Sequence, residues 1–506
     1  MSDEAHCLSL RPPTRWLIRH AAIAAALVAL GDWLFYDAVT PGLSLALFLA
    51  ACGLAAMIAN PVRARGPLRL VALSAFALAG LAIVEDLSWV SFFLASGATL
   101  LFALIMVSGD VSAWPRQLRR ALSLPFVGGL WLLGDLLRAR KLWLRNRRRV
   151  GRLAALTAWV APVLLSITFL FLFASANPLI DDWALLLDPR RLLDFLSVAR
   201  AGFWLMIACL VWPFVHMRRG RIPPNATPDS PATANRDLDI LFGGAAVLRS
   251  LVMFNALFAV QTSLDIAYLW GGLTLPHGLT YAAYAHRGAY PLIATAVLAA
   301  IFVLIAMRPG GPTDYSPRIR PLVLLWVAQN VLLVLSSMFR TSLYVSAYSM
   351  SELRLAAMIW MGLVAIGLIL IVVQIVQRKS NRWLLNANAA AAAAVLYASC
   401  FVNFPYIVAN YNVEHCLEAT GAGPALDLQY LFSLGAQAMP AYDAFRRAQR
   451  GSWERPDWAA IRSEAQESLA AMGWRDWSFR QWRLKRYFDN DQELREAADS
   501  GAPGDH

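Results

Sequence analysis

Charge is what this sequence has least of. Only 15% of its 506 residues are Asp, Glu, Lys or Arg, against about a quarter in an ordinary soluble domain. A string of soluble domains is excluded, because so few charges cannot keep so much chain in water. Paired cysteines are missing too. Cys7, Cys52, Cys209, Cys400 and Cys416 form no CxxC pair, and three of them lie in apolar runs. That argues against a disulfide framework and a thiolate metal site. Phosphate-binding loops, nucleophile elbows and zinc-protease motifs are absent. His286, beside Tyr281 and Tyr284, has no partner at metal-ligand spacing. Neither a metal nor a cofactor is expected.

What the sequence has instead is apolar length. Hydrophobic residues make up 58% of the chain and the mean hydropathy is +0.50. A membrane span needs about 20 mostly apolar residues, and it must be helical because lipid offers the backbone no hydrogen bonds. Eleven segments qualify: 20–38, 43–60, 68–84, 89–107, 153–174, 199–217, 239–268, 288–307, 321–339, 355–377 and 383–404. The expected fold is all-α, a polytopic transmembrane helical bundle of about eleven spans with a small helical tail over 405–506. Arg15 and Arg19 precede the first apolar run, and Gly31-Asp32-Trp33 follows it instead of a small-residue cleavage site. The first run is therefore expected to stay as a span.

The distribution of Lys and Arg orients the chain. With a cytoplasmic N-terminus and strict alternation, the inner segments carry 26 of them and the outer loops five. The positive-inside rule predicts this skew. The expected location is a bacterial inner membrane, with an extracytoplasmic C-terminus. The net charge of +12 is then a topology signal rather than a nucleic-acid footprint. The basic loop 138–152 is expected to meet anionic lipid. Residues 121–137 are apolar but lie between Arg119-Arg120 and Arg138 to Lys141, with Pro125 and Gly128-Gly129 inside. An interfacial or re-entrant helix is expected there. In 239–287, Gly271-Gly272 and Pro276 allow a short helix on the outer surface. In the tail, Leu428, Leu431, Phe432 and Gly435 recur at helical spacing and predict one amphipathic helix over 425–449. A Trp-rich helical pair is expected over 453–496.

Several stretches together resemble a known family. They are Phe173-Ala174-Ser175-Ala176-Asn177-Pro178, Phe254 to Gln261 with Asp265, Leu279 to Gly288, Arg340-Thr341-Ser342-Leu343-Tyr344 with Ala347-Tyr348 and Leu353-Arg354, and Asn410-Tyr411-Asn412. Over roughly 150–440 the chain is similar to bacterial multi-pass inner-membrane proteins of domain-of-unknown-function family 4173. The resemblance implies a membrane fold and carries no activity.

Ionisable residues inside spans are costly, at about 2.5–3.5 kcal/mol or more near the bilayer centre, and each is a candidate for function. Asn255, Thr262 and Asp265 fall within about 80° of one another on a helix. Such a polar stripe serves an ion or proton relay, a pocket for a polar ligand, or interhelical hydrogen bonding that fixes packing. Arg340, Tyr344, Tyr348 and Glu352 are four residues apart, and Arg354, His286 and Arg287 lie in the same outer loops. Guanidinium forks suit phosphate or carboxylate. The group reads as an anion site or as a structural ion-pair network, with Asp265 the partner to test for Arg340. Asp32, Asp37, Glu85 and Asp86 cluster near the outer ends of two spans, where a membrane transferase would hold a metal or a base.

Three functions remain open. The first is a transporter-like or sensory protein binding a small polar or anionic ligand near its outer face. The second is a transferase acting on a lipid-linked substrate. The third is a scaffold that recruits a partner through the tail.

Overall fold

The computed structural model describes residues 13–36, 41–110, 114–145, 198–217, 244–270, 298, 302, 318–449 and 456–499. The chain divides into two compact units. The first comprises Met1–Gly220 with Met472–Trp482, and the second Arg221–Ala471 with Arg483–His506. Among the described residues the secondary structure is helical, and eight helices are long and apolar enough to cross a membrane. The protein is an integral membrane protein built as a helical bundle.

The first unit contains α1 (Pro13–Phe35), α2 (Leu43–Ala59), α3 (Gly66–Glu85), α4 (Trp89–Ser108), α5 (Trp114–Arg145) and α6 (Val198–Val215). α1 to α3 are apolar, alanine-rich segments, and the polar signals sit mostly at helix ends. α4 opens on a capping box, with Ser91 N–H donating to Ser88 Oγ at 3.2 Å and Ser88 N–H to Ser91 Oγ at 2.8 Å. It stops at Gly109, whose φ of 72° continues the chain in the left-handed region.

Hydrogen bonds fix the directions of these helices. Asn60, just past α2, donates to the Phe214 carbonyl at 2.8 Å and accepts from Met217 N–H at 3.2 Å. Arg63 N–H donates to the Met106 carbonyl at 2.8 Å. The C-terminal ends of α2, α4 and α6 thus share one end of the unit. α1 runs the other way, since Asp32 meets Arg200 at the start of α6, while His20 meets His216 just past its end.

α5 is placed differently. It begins beside the end of α4, where the Gln117 amide donates to Ser108 Oγ at 3.4 Å and to the Asp110 carbonyl. Eighteen residues on, about 27 Å along a straight helix, Asp135 sits beside Trp212 and His216 at the end of α6. Both points belong to the shared C-terminal end. α5 is apolar enough over Trp114–Ala139 to span a membrane, yet between Gln117 and Asp135 it runs across that end. Gly128 permits the close crossing. A Cβ there would overlap the Cys209 carbonyl oxygen and come 2.9 Å from Pro213 Cγ.

The second unit contains α7 (Gly244–Asp265), continued by a π-turn over Ile266–Trp270, then α8 (Ile319–Tyr348), α9 (Glu352–Gln377) and α10 (Asn381–Phe401). The tail follows with α11 (Phe404–His415), α12 (Leu417–Thr420), α13 (Leu428–Ser433), α14 (Met439–Ala448), α15 (Pro456–Ala470) and α16 (Phe479–Asp499). α7 and α8 run in the same direction, packed through Phe254, Phe258 and Trp326. α9 returns against α8, and Arg320 donates to the Ile375 carbonyl at 2.5 Å. The turn between them is held by Asn412 of α11, which accepts from Met350 N–H at 2.7 Å and donates to its carbonyl at 3.0 Å.

Two expectations are corrected here. The single helix expected over 425–449 is α13, a short 3-10 turn over Ala436–Ala438 and α14. Gly435, just past the first helix, takes a φ of 72° that L side chains rarely adopt and reorients the chain. The four-residue spacing of Arg340, Tyr344, Tyr348 and Glu352 does not lie on one helix. α8 extends to Tyr348, Ser349 takes a φ of 64°, and Glu352 opens α9. The expected spans 153–174 and 288–307 lie outside the described residues, apart from positions 298 and 302.

Candidate functional site

The polar stripe of α7 faces α8. Asn255 is buried and its amide donates to the Leu251 carbonyl on its own helix at 2.7 Å and to the Leu322 carbonyl of α8 at 3.1 Å. Thr262 is half-buried one to two turns further along. At the end of the stripe, Asp265 pairs with Arg340 of α8. The two residues are 1% and 6% exposed, so this is an ion pair inside an apolar bundle. Gln261 donates to Asp265 Oδ1 at 3.0 Å.

The backbone winds into its π-turn directly after Asp265, a distortion that often marks functional positions. Trp270, closing that turn, donates to Ser336 Oγ at 3.4 Å and packs on Phe339. Between Asn255 and the ion pair, α7 and α8 hold further buried polar atoms. Among the described residues, Asn255 Oδ1, Trp326 Nε1, Gln329 Oε1 and Asn330 Oδ1 have no hydrogen-bond partner.

The other expected members of the site sit elsewhere. Tyr344 and Tyr348 pack against each other with tilted rings 5.0 Å apart near the end of α8, and Tyr348 is exposed. Arg354 lies 4.4 Å over the Tyr344 ring and donates to the Tyr348 carbonyl at 2.7 Å and to the Ser349 carbonyl. Its fork is thereby used on the break between α8 and α9. The Glu352 side chain is exposed, and its backbone N–H donates to Tyr430 Oη at 3.0 Å. A cavity of about 220 Å³ lies between the last turn of α8 and α11, bordered by Ser346, Ser349, Tyr411 and His415. Asp265 and Arg340 do not line it. His286, Arg287 and residues 146–152 of the basic loop lie outside the described residues.

In the first unit the acidic group is occupied by arginine. Asp32 receives both arms of Arg200, at 2.8 and 2.5 Å, and the indole N–H of Trp204 at 2.8 Å. Glu85 and Asp86 face Arg480, which donates to Asp86 Oδ2 at 2.9 Å and lies 3.6 Å from Glu85 Oε1. Burial raises the Asp86 pKa, Arg480 opposes this, and Glu85 adds to it. Asp37 lies outside the described residues. A cavity of about 640 Å³ between α1, α5 and α6 is apolar apart from Asp32 and Asp135, and neither Glu85 nor Asp86 lines it. Among the described residues, no group of three His, Cys, Asp or Glu could hold a metal ion.

Three features escaped the sequence reading. Asp135 pairs with His216 at 2.6 Å and with Arg138 at 3.0 Å. An acid inside an apolar run is the same signal that marked Asp265, and it could have been found. The pairings made by Arg200 and Arg480 could not be named from the sequence, because their acids are 168 and 394 residues away.

A family model for a domain of unknown function (DUF4153) matches residues 72–445. The motifs pointed to family 4173 instead, and the match also starts earlier than the expected 150. No curated protein and no solved structure matches the chain.

Proposed function

The chain belongs to the DUF4153 family, and from that premise we propose that this membrane protein is transporter-like or sensory and binds a small polar or anionic solute between α7 and α8. The observation that carries the reading is the buried Asp265–Arg340 pair, with polar atoms along the same two helices that find no partner among the described residues. A buried ion pair adds little net stability, because desolvation offsets most of the attraction. An amide oxygen left without a donor in an apolar bundle costs more. Such groups suit an interior that exchanges partners. A carboxylate or phosphate takes the place of Asp265 on the Arg340 fork, and water or solute satisfies Asn255, Gln329 and Asn330. We read the pair as lying toward the outer face of a bacterial inner membrane, with the N-terminus inside and the C-terminus outside, a reading that the skew of Lys and Arg between alternate segments supports.

The test uses the full-length protein in detergent, with thermal unfolding followed against phosphate, acetate and glutamate. At least one of these anions is expected to raise the wild-type midpoint. Arg340→Ala and Asp265→Ala are expected to lose that response. The exchange Asp265→Arg with Arg340→Asp restores the pair but reverses its geometry, so it should recover stability without the anion response. An anion response equal to wild type in these variants refutes the site.

A further inference from the structure

α5 has two apolar faces, and only one is packed. Ala121, Leu124, Gly128 and Leu132 are buried, as is Asp135 on the same side. On the far side, Leu122, Phe126, Leu130, Leu133 and Leu137 are all exposed, Phe126 to 84%. At 100° per residue these five fall within about 80° of one another. Arg116, Arg120 and Arg138 are exposed along one flank between the two faces, and Arg119 lies at the N-terminal end of the apolar stripe. The only acid in α5 is the buried Asp135. Arg63 and Arg65 lie in the α2–α3 connection at the same end of the unit. An exposed leucine and phenylalanine stripe on a spanning helix needs no explanation. On a helix lying across the end of its unit it does, because water would meet it there.

We propose that α5 is a lipid-binding helix lying in the headgroup layer of an anionic leaflet. Leu122, Phe126, Leu130, Leu133 and Leu137 dip among the acyl chains. Arg116, Arg119, Arg120 and Arg138 hold lipid phosphates, with their aliphatic stems along the apolar boundary. Charge decides between a bilayer and a protein partner: a cationic flank with no exposed acid fits phosphate rather than another mixed-charge helix. The Gln117 and Asp135 anchors at either end keep the helix from turning into the bundle. This places the anionic-lipid contact on a rigid helix face ahead of the basic loop.

Two measurements on the full-length protein test the inference. In detergent, phosphatidylglycerol should stabilise the wild type against heat at lower lipid concentration than phosphatidylcholine does. Replacing Arg116, Arg119 and Arg120 together with Gln should weaken the apparent phosphatidylglycerol affinity tenfold or more at low salt. The gap between the two proteins should close at high salt. In bilayers, a spin label at Phe126→Cys, with Cys7 and Cys209 replaced by Ser, should be accessible to oxygen. A label at Arg120→Cys should be accessible to a water-soluble nickel chelate. Wild-type phosphatidylglycerol affinity in the triple variant overturns the proposal. So does a label at 126 that is exposed to nickel, or one immobilised by a neighbouring copy.

Discussion

Arginine meets carboxylate in both units, but under different conditions. In the second unit, Arg340 and Asp265 face each other inside an apolar bundle, and both are nearly inaccessible. In the first unit, Arg480 comes from the tail segment and closes over the ends of two helices, where the Asp86 side chain keeps 25% of its surface open. The inner pair is an internal device of two adjacent helices. The outer contact is a seat that joins Met472–Trp482 to the helix ends. Its backbone does as much as its charges: the N–H groups of Gly42 and Leu43, orphaned at the start of α2, donate to the Arg475 and Trp477 carbonyls at 3.0 and 2.9 Å. Trp474 then packs on Trp33 at 5.4 Å. Part of the Trp-rich segment is thus built into the first unit.

The difference predicts unequal costs on deletion. Arg340→Ala leaves Asp265 buried without its cation, and losing one partner of such a pair costs about 3–5 kcal/mol. Arg480→Ala leaves Glu85 buried but Asp86 a quarter open, where water reaches it, and should cost about 1–3 kcal/mol. Unfolding of both variants in one detergent checks this, with proteolysis within 472–482 as a local readout for Arg480→Ala alone. Equal losses would break the comparison, since the seat would then be as dry as the bundle.

A steric variant sharpens it. A Cβ on Gly42 would stand 2.5 Å from the Trp477 carbonyl oxygen and 2.6 Å from that of Asp476. Gly42 has a φ of −120°, not in the left-handed region. Gly42→Val therefore acts by overpacking, at about 1–3 kcal/mol, and should loosen the seat without touching a charge. Faster cleavage within 472–482 is the expected sign. Cleavage at the wild-type rate would mean that the seat is not held through the start of α2.

The same contrast explains what was legible in the sequence. Apolar runs announced α1 to α4 and α6 to α10 because lipid imposes a minimum length on every span. Asp265 and Arg340 stood out as charges inside such runs. α8 was expected to end near residue 339, where the apolar run ends, but its backbone carries on through Tyr344 to the break at Ser349. Gly435 was counted as a helix position on spacing alone, although a glycine there also permits the positive φ it adopts. The partners of Asp32, Glu85 and Asp86 were not legible, because nothing local to an acid names an arginine hundreds of residues later. Tyr487 shows the same long-range dependence within the second unit: burial and Asp443, 3.0 Å from its hydroxyl, push its pKa up to about 12.

The smallest effect is the most discriminating. Asp86 has its pKa raised above the usual 3.8, first by burial and then by Glu85, with Arg480 pulling against both. A carboxyl raised in the folded protein holds its proton more tightly there than when unfolded. Its contribution to stability is therefore fully present below about pH 3.8 and is lost as pH rises through the higher folded value. Asp86→Asn removes that dependence. It should leave the protein as stable as wild type at acid pH and slightly more stable at neutral pH, read as a flatter profile of unfolding midpoint against pH. Burial would then be confirmed as stronger than the Arg480 bond at this position. A loss of stability at neutral pH would reverse the conclusion: Arg480 would outweigh burial, and seat and inner pair would be the same kind of contact at different depths.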